Sequence, residues 1–241
     1  MRSSRVLTPP RDDLRRLAHS RLTFNAPLSE ERAAALVGAL ALAPGRHALD
    51  LACGWGELLL RVVGAHPAAT GTGVDLDRGA LDRARAAASA RDLQERVEFV
   101  EDDATAFEDR GDLVMCVGAS HVWGGATPAL RALRERVERG GTVLFADGFW
   151  ERAPGAEARR LFGDLPVFEG LLSVVRAAGF SVEAADRSTL EEWDAFEAAW
   201  RSGLEAVDDP DARLLAVTRE CEYRDGYRGI LGFAWLVLAR T

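Results

Sequence analysis

Lysine is missing from this chain of 241 residues: all 30 of its basic side chains are arginines. That absence removes the enzymes that form a Schiff base on lysine and the P-loop nucleotide hydrolases, because both chemistries need a lysine amine. Cysteine is scarce. Cys53, Cys116 and Cys221 are far apart and odd in number, so no disulfide framework is expected. Neither they nor His19, His47, His66 and His121 fall at metal-ligand spacing, and no metal is expected. No apolar run approaches the roughly 20 residues of a membrane span. The arginine-rich stretch 1–16 lacks the apolar segment of about 7–15 residues that marks a secretory signal, so a cytoplasmic protein is expected. A net charge of −8 argues against nucleic acid as the main partner, because neutralising phosphates needs a basic face, although local basic patches are compatible with it.

What is present is alternation. After Pro9-Pro10, which closes a short tail, Ser29 followed by Glu30 and Glu31 starts a helix with Leu36, Val37 and Leu40 on one face. Short apolar runs at 47–51, 70–75, 96–101, 113–117, 142–146 and 180–184 read as strands. Helical patterns at 57–65, 81–90 and 128–138 separate several of them, and another opens at Pro166 and stops at Gly179. Regular strand–helix alternation of this kind predicts a parallel sheet covered by helices on both faces. Beyond 184 the pattern changes. Ser188 and Glu191 read as a capping box for a helix carrying Trp193, Phe196 and Trp200, and Asp209-Pro210 starts another. The run 229–239 reads as a last strand, expected antiparallel beside the sixth because it returns after an insert.

The segment that carries chemistry is Asp50-Leu51-Ala52-Cys53-Gly54-Trp55-Gly56-Glu57. A strand ends at an acid, passes through two glycines and enters a helix, whose free N–H groups and close backbone approach suit a ligand. Asp75 ends the second strand, where a carboxylate can accept both hydroxyls of a ribose or simply cap the next helix. The third strand runs into Glu101-Asp102-Asp103-Ala104, where one acid can meet an exocyclic amine or merely face water. A nicotinamide or flavin fingerprint, G-x-G-x-x-G/A, would need Gly or Ala at position 59, which is Leu.

This constellation resembles motif I of the class I S-adenosylmethionine-dependent methyltransferases. Asp50, Ala52, Gly54 and Gly56 match it, with Ala52 where glycine is common, and Cys53 lies within the turn. Asp75 with Leu76 matches the ribose position, Asp103-Ala104 the adenine pair, Gly118 the loop after the fourth strand, and Gly140-Gly141 a turn typical of the family. The resemblance implies an α/β fold: a doubly wound, seven-stranded, mostly parallel, Rossmann-like sheet whose last strand is antiparallel. It also implies S-adenosylmethionine as cofactor and methyl transfer as the reaction. One domain is expected over 1–241, with an N-terminal helical lid to residue 45, a core over 46–187, a helical insert over 188–228 and the last strand over 229–241.

In-line transfer from a sulfonium needs alignment, exclusion of water, and a base where the nucleophile carries a proton. His121, in the loop after the fourth strand, is the candidate base; a structural or substrate-contacting role stands beside it. Trp55, Trp123, Trp150 and Tyr227 are candidate walls of a substrate pocket, with core packing as the alternative. His19 and Asn25 are candidate polar contacts from the lid. The chain has no Asn/Asp-Pro-Pro-Tyr/Phe motif, which points to a small-molecule acceptor rather than a nucleic-acid base. Two other readings share the fold: an enzyme that keeps the cofactor for a reaction such as cyclisation, and a non-catalytic binding protein that regulates.

Overall fold

The structure, a computed structural model, describes residues 12–40 and 42–240. The Pro9-Pro10 tail lies outside the described residues. Seven strands form one sheet: β1 (His47–Leu51), β2 (Thr70–Asp75), β3 (Val97–Glu101), β4 (Gly111–Val117), β5 (Val137–Trp150), β6 (Phe180–Arg187) and β7 (Leu231–Arg240). Their order is β3-β2-β1-β4-β5-β7-β6. The first five run parallel, and β7 slots between β5 and β6 antiparallel to both. The doubly wound sheet and its reversed last strand are therefore as expected.

Among the described residues the α-helices are α1 (Asp12–His19), α2 (Glu30–Ala39), α3 (Glu57–Ala65), α4 (Arg78–Ser89), α5 (Ala126–Arg136), α6 (Ala156–Phe162), α7 (Phe168–Ala177), α8 (Leu190–Glu205) and α9 (Pro210–Cys221). Local chemistry sets their ends. Ser29 caps α2 by accepting from the Arg32 N–H, Asp77 caps α4, and Asp209 caps α9 with Pro210 in the first turn. Gly179, at φ 83°, follows the end of α7.

Three expectations need correction. The capping box of α8 is Thr189 with Glu192, not Ser188 with Glu191, because the Ser188 hydroxyl is drawn away to the Pro27 carbonyl. Pro166 does not open α7. Its carbonyl takes the Trp150 N–H, Val167 bridges Trp150, and the helix starts at Phe168. The helix expected to reach residue 138 stops at Arg136, and β5 begins at once. The register then shifts between Gly111–Val137 and Leu113–Thr142, a bulge that contains Gly140 at φ 73°. Helices α1 and α6 had no clear signal in the sequence.

Alternation along β5 divides the core. Leu144 and Ala146 join the α3–α4 side, whereas Val143 and Phe145 join the α5–α7 side. A third cluster joins Leu14 and Ala18 of α1 to Leu204 of α8 and to Ala212 and Ala216 of α9. There Gly203 lies so close to the Leu17 carbonyl that no side chain fits between them. With α1 held on the insert, residues 20–28 must cross the C-terminal ends of the strands to reach α2. Among the described residues no helix is long and apolar enough to cross a membrane.

Candidate active site

One cavity of about 540 Å³ opens where the ends of β1, β2, β3 and β4 meet this crossing segment. The turn after β1 forms its floor, with left-handed backbone at Ala52 (φ 58°), Gly54 (56°) and Gly56 (63°). The two glycines differ. A Cβ at Gly54 would enter open space, whereas one at Gly56 would collide with the Phe99 ring. Ala52 carries the strain that glycine would avoid.

Asp75 fastens this turn. Its carboxylate accepts the Gly54 N–H at 2.7 Å and the Asp77 N–H at 2.8 Å, while Asp77 takes over the capping of α4. Asp50 is buried (5% exposed), and burial first, then the neighbouring Asp75, pushes its carboxyl up to about 8. It is thus mostly protonated at neutral pH and can donate a hydrogen bond. Burial, then Asp50 and Asp75, raise the Cys53 thiol well above its usual range, so it stays protonated and is a poor nucleophile. Asp103 is exposed, and hydrogen bonds from the Thr105 N–H and hydroxyl, both 2.8 Å, hold it below the usual carboxylate range.

The crossing segment is pinned at both ends. The Trp55 indole N–H donates to the Thr23 carbonyl at 2.7 Å, and Arg83 lies over the same ring while donating to the carbonyls of His19 and Leu22. The His19 ring packs on Trp55 with centroids 5.5 Å apart, and burial, aided by Arg15, lowers its pKa. At the far end the Trp235 indole donates to the Ser188 hydroxyl at 2.9 Å, and that hydroxyl donates to Pro27.

Asp50, Ala52, Cys53, Gly54, Gly56, Asp75, Leu76, Asp103, Ala104 and Gly118 all line this one cavity, with His121, Trp55, His19 and Asn25. Trp123, Trp150 and Tyr227 do not line it. Trp123 packs toward the α5–α7 core. Trp150 ends β5, buried against Phe162, and Tyr227 is 1% exposed with its hydroxyl donated to Glu197 at 2.7 Å. Large aromatic side chains gain more from full burial than from a half-open wall.

Sequence reasoning missed Trp235, Val117, Val122, Phe24 and Leu28, which also line the cavity. Strand β7 is apolar on both faces, so nothing in its pattern shows which face meets a site. Asp147 was missed as well. Side-chain alternation puts it on the α5–α7 side of β5, and the Gly118 N–H bonds the Ala146 carbonyl at 2.7 Å, so it lies beneath the turn Ser120–Trp123. Burial raises the Asp147 carboxyl, against hydrogen bonds from Ser120 and the Gly148 N–H and the nearby charge of His121.

A family model described as a methyltransferase domain matches residues 48–141, the stretch that contains the turn and all three strand-end acids. YjhP of Escherichia coli K12, an uncharacterized protein, is 30% identical over 207 residues, 81% of this chain and 83% of that one. A SAM-dependent methyltransferase from Geobacter sulfurreducens, solved with S-adenosyl-L-homocysteine, superposes with a TM-score of 0.86 at 26% identity, covering 95% of this chain and 98% of that chain. A counterpart from Thiobacillus denitrificans, also with S-adenosyl-L-homocysteine, gives 0.85 at 26% identity, covering 98% and 100%. The chain belongs to the class I S-adenosylmethionine-dependent methyltransferases.

An enzyme of this class takes its methyl group from S-adenosylmethionine, and the cavity suits that donor on its own terms. The open space beside Gly54, which a side chain would fill, lets backbone come close to a ligand. The acids around it can accept hydrogen bonds from hydroxyls and an amine. The volume lies in the usual range of about 300–1000 Å³ for small-ligand sites.

Proposed function

We propose that this methyltransferase acts on a small-molecule acceptor, with Gly54, Gly56, Ala52 and Cys53 cradling the donor by their backbone. In this reading Asp75 and Leu76 hold the ribose, Asp103 and Ala104 the adenine, and Asp50 and Gly118 the methionine end. When bound, S-adenosylmethionine supplies a methyl group on a sulfonium and departs as S-adenosylhomocysteine. The observation that carries the reading is the convergence of ten residues, drawn from four strand ends far apart in sequence, on one cavity.

His121 is the proposed general base. It lines the cavity beyond β4, is exposed to it, and receives the proton that an acceptor hydroxyl, thiol or amine gives up. Asp147 is joined to the same turn through Ser120. The segment 20–28 acts as the lid that keeps water out, fastened to Trp55, Arg83 and Ser188. Titration calorimetry with S-adenosylhomocysteine tests the donor site, and its release from S-adenosylmethionine across an acceptor panel tests the reaction. Absence of binding by a folded sample would overturn the proposal. His121→Gln should lower turnover by about 10²–10⁴-fold while leaving donor affinity unchanged.

A further inference from the structure

The cavity is divided by the sheet beneath it. Strand order places β3, β2 and β1 on one side and β4, β5 and β7 on the other. The charged groups of the lining sit over the first side. Asp103 follows β3, Asp75 ends β2 and Asp77 follows it, Asp50 belongs to β1, and Glu57 opens the helix after it. Arg15, also in the lining, belongs to α1, whose His19 packs on Trp55 of the turn after β1. Glu57 is already paired with Arg61 and Arg91, at 2.8 and 2.7 Å.

Over the second side the lining changes character. Val117 and Val122 come from β4 and its loop, and Trp235 comes from β7 with its indole N–H spent on Ser188. Ala26 and Leu28 flank Pro27, whose carbonyl that same Ser188 holds, so the lid adds apolar side chains to the cluster that contains Trp235. Among the lining residues of this half, the side-chain polar groups are those of His121 and, from the lid, Asn25.

From this partition, and resting on the donor and base assignments above, we infer that the acceptor is a small, uncharged, mainly apolar molecule with one ionisable X–H group, of the phenol or thiol class, bound between Trp235, Val117, Val122 and the lid with that group at His121. Size points the same way, because about 540 Å³ must hold donor and acceptor together. Charge excludes the alternatives. A carboxylate or phosphate entering this half would find no arginine among its described lining residues, and an ammonium would find no carboxylate there. In the transfer the X–H proton goes to His121 and the X–methyl bond replaces the methyl–sulfur bond, so atoms and charge balance.

The test uses the full chain saturated with S-adenosylhomocysteine and three probes that share a para-tolyl ring: para-cresol, para-toluate and para-methylbenzylammonium, followed by calorimetry. Para-cresol should bind, and the two charged probes should be weaker by about tenfold or more. Val122→Asp, at an exposed lining position, should weaken para-cresol about tenfold and leave S-adenosylhomocysteine affinity unchanged. Equal or tighter binding of either charged probe, no binding of para-cresol to the loaded protein, or indifference of para-cresol to Val122→Asp would overturn the inference. Failure of S-adenosylhomocysteine itself to bind would instead remove the donor reading, so the two failures are distinguishable.

Discussion

The Glu192 carboxylate accepts both the backbone N–H and the hydroxyl of Ser29, at 3.0 and 2.6 Å, across 163 residues of sequence. The same group accepts from Arg32 and closes the capping box with Thr189, so one carboxylate serves the starts of α2 and α8 together. Burial alone would raise its pKa, and the bonds from Arg32, Ser29 and Thr189 bring it below the usual range. Glu192→Ala would leave Arg32 with Asp186 alone and two cap donors unpaired. We expect a loss of about 3 kcal/mol in urea unfolding, with an unchanged slope against denaturant. A loss below about 1 kcal/mol would show that the shared cap contributes little.

The two glycines of the first turn should respond in opposite ways. At Gly54 a side chain projects into the cavity, so Gly54→Val should weaken S-adenosylhomocysteine at least about tenfold. Its left-handed backbone should cost only about 1–2 kcal/mol of stability. At Gly56 the added atom strikes Phe99, so Gly56→Ala should lower the melting temperature more than Gly54→Ala does. Reversal of that order in thermal unfolding would disprove this account of the turn.

Asp50 predicts a pH dependence with a definite sign. Its folded value, about 8, lies above the ordinary 3.8, so the folded state binds the proton more tightly than the unfolded chain. The stability it contributes is complete below 3.8 and is lost as pH climbs to about 8. Asp50→Asn should therefore gain on wild type as pH rises through that window, with a slope of at most about 1.4 kcal/mol per pH unit. Parallel stability curves for the two proteins would mean that Asp50 is ionised in the folded state.

Gly203 tests how the lid is held. A Gly203→Val side chain cannot coexist with the Leu17 carbonyl, so α1 should leave α8 while the sheet remains. Limited proteolysis should then cut near residues 12–28 sooner, and S-adenosylhomocysteine affinity should fall. Unchanged cleavage and affinity would rule out α1 as the anchor of the crossing segment.

Most of the sheet was legible because its signals are local. Apolar runs of strand length, a glycine-bearing turn and acids at strand ends each depend on a few consecutive residues, and Ser29, Asp209-Pro210 and Gly179 mark helix ends by their own chemistry. The capping box slipped by one residue for a non-local reason. Ser188 and Thr189 are equally able to cap, and only the presence of Pro27 and Trp235 beside Ser188 decides between them. The aromatic wall failed likewise, since a tryptophan looks the same in sequence whether it faces a ligand or a core.

The sequence by itself determined the succession of strands, most of the helices between them and the glycine-bearing turn, whose resemblance to a known motif implied the cofactor. Those follow from residue types whose backbone and charge preferences act over a few positions. Tertiary structure alone decided that β7 also pairs with β5 and brings Trp235 to the cavity, that α1 docks on α8 at Gly203, and that the charged and apolar linings fall on opposite sides. Each of these depends on surfaces brought together from distant parts of the chain, where shape and burial, not local preference, select the partner.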